Sequence, residues 1–144
     1  MGGVGLWLRA LLFALGAMAL NVAAFFLWVF IYSIVIAPGH AEAFYQAYAD
    51  RAAPISSIVA GVPIFFLAGW LAARRAPAGR AILAGALVAI VYIAIDLTIL
   101  LSIANNIPMM IIVTSFVTKL AAASLGGVMA ERKSRSPTGQ GQDP

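Results

Sequence analysis

Three polar residues stand where the surrounding sequence is almost wholly apolar: Asn21 in Leu20-Asn21-Val22-Ala23, Asp96 in Ile93-Ala94-Ile95-Asp96-Leu97, and Lys119 in Phe116-Val117-Thr118-Lys119-Leu120. An acid and a base inside apolar runs can hand over a proton, hold a counter-charge or bind a polar solute. Such residues are rare because placing one at the centre of a membrane helix costs roughly 2.5–3.5 kcal/mol, so they face the bundle interior and one another. If the runs that carry Asp96 and Lys119 fold as an antiparallel hairpin, Asp96 lies about ten residues before the middle of the connection and Lys119 about twelve after it. At ~1.5 Å per residue the two then differ by only about 3 Å in depth. The spacing predicts a direct Asp96–Lys119 pair, with Asn21 joining it from the first run. Such a pair serves either as a salt bridge that fixes helix order or as part of a proton or substrate path. Gly61 and Pro63, in the middle of another run, form a candidate hinge, because proline removes a helical N–H and crowds the preceding turn.

A second group, His40, Glu42, Gln46 and Asp50, lies between the first two apolar runs. Its one histidine has no ligand partner at the tight spacing of a metal site, so the expectation is a partner-facing loop with no metal and no cofactor. The chain has no cysteine, which removes thiolate nucleophiles, thiolate metal sites and disulfides. With so few polar side chains, an enzyme is the weakest of the functional classes.

The elements that position these residues follow from composition. The chain is 63% hydrophobic and 10% charged, with mean hydropathy +1.00, too apolar for an ordinary soluble domain. Apolar stretches over residues 6–37, 54–73, 81–104 and 109–130 each approach or exceed the ~20 residues that a helix needs to cross a ~30 Å hydrocarbon core. The expected fold is an all-α membrane protein, a four-transmembrane-helix bundle within one domain, 1–130. Residues 131–144 read as a disordered tail rich in Gly, Pro, Ser and Gln. Pro38-Gly39, Pro54, Pro77 and Pro108 mark boundaries. The first stretch spans about 48 Å as a helix, so it must tilt, bend or project from the membrane. Arg9 and Ala17-Met18-Ala19 have the look of a cleavable signal, yet the apolar run continues to Ala37, which favours an uncleaved helix. In the outer loop, 38–53, Ala41, Phe44, Tyr45, Tyr48 and Ala52 share one helical face and Glu42, Gln46 and Asp50 another. That pattern predicts a short amphipathic helix lying along the interface.

Charge sets the expected topology. Arg74, Arg75 and Arg80 sit in the second link and Arg132, Lys133 and Arg135 after the last stretch, so both termini are expected on the cytoplasmic side. The net charge of +4 is therefore a topology signal and not a nucleic-acid footprint. Trp7 and Trp70 toward that side, and Trp28 and Tyr32 toward the other, fit interfacial anchoring. Gly85-x-x-x-Ala89, Ala122-x-x-x-Gly126 and Ala123-x-x-x-Gly127 permit close helix approach, within one chain or between copies. The expected surroundings are a lipid bilayer, with other membrane subunits or further copies as partners, and the expected location is a bacterial inner membrane. The simplest functional reading is a structural or accessory subunit. The alternative is a small proton-coupled transporter or channel using Asp96 and Lys119, and a membrane-embedded enzyme comes third.

Overall fold

The computed structural model describes residues 2–77, 79–102 and 108–135, and every regular element in them is helical. Helix α1 covers Gly2–Ile31 and ends in a π-helical turn, Tyr32–Ile36; α2 covers Glu42–Arg74, α3 Ala81–Ser102 and α4 Met109–Arg135. All four are long and apolar enough to cross a membrane. In lipid each backbone polar group must be satisfied within the protein, which a helix achieves by itself. The chain is a small multi-pass integral membrane protein built as a four-helix bundle.

Successive helices run antiparallel. At one end the Arg9 guanidinium donates to the Arg75 carbonyl, tying the start of α1 to the end of α2. At the other, Trp28 Nε1 donates to Tyr48 Oη at 2.8 Å, and the Tyr32 and Tyr48 rings stack with centroids 3.6 Å apart. The first of these ends collects Arg9, Arg74, Arg75, Arg80, Arg132 and Lys133 and is called the basic end below. The second carries Glu42 and Asp50 at the start of α2 and is the acidic end.

Two boundaries differ from expectation. The outer loop does not hold a separate interfacial helix: α2 begins at Glu42 and continues unbroken through Pro54 and Pro63 to Arg74. Residues 42–53 hold five alanines together with Glu42, Gln46 and Arg51, all good helix formers. The prolines remove single N–H groups without ending the helix, as membrane helices tolerate. The loop shrinks to a turn around Gly39, whose φ of +83° suits glycine. Tyr45 braces that turn, accepting from the His40 N–H at 3.1 Å and donating to the Ala37 carbonyl at 2.7 Å. At the other boundary, α4 runs on to Arg135, five residues into the expected tail. Its last turns are anchored where Ala130 packs with Ala73 and Ala81. Residues 136–144 and the expected connection around Asn105 lie outside the described residues.

Helix α4 sits against both α2 and α3, and glycine makes this possible. A methyl group on Gly126 would overlap the Phe66 carbonyl of α2, and one on Gly127 would stand 2.8 Å from the Ala81 carbonyl of α3. Gly69 and Gly85 face the Ala123 carbonyl from the two sides. The small-residue motifs are thus used within the monomer, where close approach gives van der Waals contact in the absence of a hydrophobic drive. Helix α1 is more loosely held, burying one narrow stripe: Leu6, Ala10, Ala14, Ala17 and Asn21.

Candidate functional site: a buried lysine beneath an acidic cleft

Lys119 is wholly buried. Its stem leaves α4 and crosses α2 at Gly61, where an added Cβ would lie 2.7 Å from Lys119 Cε. The side chain rises toward the acidic end, as the tilt of Cα–Cβ bonds toward a helix N-terminus favours. Its Nζ donates to Ser57 Oγ and Tyr92 Oη, both at 2.8 Å. The ammonium also lies 4.5 Å from the Tyr92 ring centroid and 5.8 Å from that of Phe65, within range of a cation–π attraction. Phe65, itself wholly buried, meets Tyr92 edge-on at 4.5 Å and closes the space below. From there to the basic end the glycine seams leave backbone against backbone.

Asn21 and Asp96 complete the polar centre in different ways. Asn21 Nδ2 donates to Ser57 Oγ at 3.3 Å, while its buried Oδ1 has no hydrogen-bond partner. Ser57 Oγ therefore receives protons from both Lys119 and Asn21 and keeps its own to donate. Asp96 is half-buried. Among the described residues it makes no direct ion pair with Lys119, so the expected bridge is absent. The reason is register: Lys119 reaches the level of Tyr92, one helical turn (~5.4 Å) deeper than Asp96. Asp96 stays within electrostatic reach of the lysine and interacts with the Tyr92 hydroxyl, and it also borders open space.

That space has two parts. A cavity of about 170 Å³ between α1, α2 and α3 is bordered by Asn21, Ser57, Tyr92 and Asp96. A cleft of about 480 Å³ between α2, α3 and α4 is lined by Asp50, Ser57, Asp96, Leu100, Ile112 and Ser115. Ser57 and Asp96 border both. Asp50 and Ser57 lie seven residues apart on one face of α2, about 10 Å along the axis. The cleft thus leads from a carboxylate at the acidic end, past a second carboxylate, to Ser57, one of the two hydroxyls that hold Lys119. The threonines nearby take no part: Thr98, Thr114 and Thr118 donate back to Ala94, Met110 and Thr114 of their own helices, the usual way a threonine satisfies itself in a helix.

His40 packs its ring on Phe44 at 4.2 Å, Gln46 donates to Glu42 at 3.1 Å, and Asp50 turns to the cleft. Among the described residues no cluster of His, Asp and Glu could hold a metal ion. Sequence reasoning missed Ser57 and Tyr92. The signals were a serine inside an apolar run, seven residues after Asp50, and a tyrosine four residues before Asp96, on its face of α3. Compared with protein-family models, curated proteins and solved structures, the chain matches none.

Proposed function

We propose that this membrane protein is a small proton-translocating carrier, loaded from the acidic end, in which Asp96 takes up the proton and Lys119 supplies a fixed buried counter-charge. The observation that carries this reading is the separation of the two charges. A bridge serving stability alone would close on itself and satisfy its partners. Here the ammonium is held by neutral hydroxyls, a buried amide oxygen is left unpartnered, and the carboxyl borders a cleft that starts at Asp50. Protonating Asp96 changes the field at Lys119 one turn below, and Tyr92 and Ser57 lie between them to transmit the change. By the positive-inside rule the basic end faces the cytoplasm and the acidic mouth opens on the other side of what we take to be a bacterial inner membrane.

The test is proton flux in liposomes holding the full chain and an internal pH dye, driven by an imposed membrane potential. The expected result is flux above that of empty liposomes that falls to the empty level in Asp96→Asn. Flux in Asp96→Asn equal to that of the unaltered chain would overturn the proposal.

A second reading, an accessory subunit of a larger membrane assembly, draws on α1. Most of that helix, including Leu12, Leu20, Phe26, Leu27 and Phe30, is exposed, more than in the other three helices. Site-specific cross-linking from Leu20 in native membranes tests it, and adducts to lipid alone would count against it.

A further inference from the structure

Asp50 and Arg51 are neighbours in sequence but serve opposite sides of α2. Asp50 enters the cleft described above; Arg51 stands at the head of a second groove, between α1 and α2, of about 570 Å³. Ala24 and Trp28 contribute from α1, and Tyr48, Arg51, Ile55 and Val59 from α2. Ala52, Ser56 and Ala60, one turn apart, also line it. Small residues at that spacing usually bring helices into contact; here they leave an apolar channel. From Tyr48 to Ala60 the groove runs about 18 Å along the helix axis, slightly more than half of a ~30 Å hydrocarbon core. Its length therefore suits one acyl chain of one leaflet.

The head of the groove is polar in a specific way. Arg51 is exposed and makes no hydrogen bond or ion pair among the described residues. Of the nine Lys and Arg residues it is the one placed toward the acidic end. Tyr48 Oη already accepts the Trp28 indole proton, so its own O–H remains to donate outward, and the stacked Tyr32 ring holds it in place. A forked guanidinium beside a phenolic donor, at the depth of the interfacial aromatics, suits a phosphodiester.

We propose that this groove binds one anionic glycerophospholipid, its phosphodiester on Arg51 and Tyr48 and one acyl chain along Ala52, Ser56 and Ala60. The site lies across α2 from the polar centre and does not depend on the carrier function.

Trp28 reports on it directly. In the full chain with Trp7→Phe and Trp70→Phe, reconstituted in phosphatidylcholine vesicles, Trp28 fluorescence is titrated with phosphatidylglycerol or phosphatidylcholine carrying brominated chains. Phosphatidylglycerol should be preferred about fivefold, the ratio expected for one basic residue facing an anionic headgroup. The preference should fall to about one in Arg51→Gln and be largely kept in Arg51→Lys. Equal quenching by the two lipids in the unaltered site, or a preference that survives Arg51→Gln, would overturn the proposal.

Discussion

Lys119 crosses α2 over Gly61, where an added Cβ would come within 2.7 Å of its Cε. The glycine expected as a hinge therefore has a nearer reason to be there: it is the notch through which the lysine reaches Ser57 and Tyr92. Pro63, two residues on, is exposed and turns away from the bundle. Gly61→Ala should displace the ammonium and cost about 1–3 kcal/mol, the usual penalty of overpacking. In a Lys119→Ala background the same change should cost much less. Unfolding in detergent of the two single variants and the double measures this coupling, and additive effects would show that the notch does not serve the lysine.

Lys119→Met separates function from folding. Methionine has a similar shape and asks for no hydrogen bonds. Buried charges replaced by apolar groups of similar volume often leave stability unchanged or raise it by about 1–4 kcal/mol. The expected outcome is a bundle at least as stable as the original, with proton flux lost. A marked fall in melting temperature would instead identify the lysine as a keystone of the fold.

The glycines should sort by what surrounds them. Gly126→Ala places a methyl 2.7 Å from the Trp70 backbone nitrogen and should force α2 and α4 apart, costing several times as much as an ordinary helix substitution. Gly16 has nothing within 4 Å of the added position. Gly16→Ala should be neutral or stabilise by up to ~1 kcal/mol through reduced backbone freedom. Thermal unfolding of the two variants side by side checks the contrast.

Much of this arrangement was legible in the sequence, and the failures have physical causes. Apolar run lengths located the four helices, and the hairpin count brought Asp96 and Lys119 close in depth. The count followed the backbone alone, so it did not register that Lys119 meets Tyr92 and that Asp96 stands a turn outward. Ser57 was overlooked because a serine in a membrane helix commonly bonds its own backbone, and only its three-dimensional neighbours show otherwise. Pro54 read as a boundary because proline usually ends a soluble helix; the helix-forming residues before it carried α2 through.

The polar centre opens to the acidic end through the cleft at Asp50 and is sealed toward the basic end by the glycine seams. The chain has no cysteine, so single cysteines can be placed at will. Ser115→Cys, beside Asp96 in the cleft, and Ala123→Cys, in the glycine seam below, are exposed in oriented membranes to a charged, membrane-impermeant methanethiosulfonate reagent. The expected result is rapid labelling of Ser115→Cys from the acidic side, none from the basic side, and none of Ala123→Cys from either. Labelling of Ser115→Cys from the basic side, or no labelling from either, would contradict it.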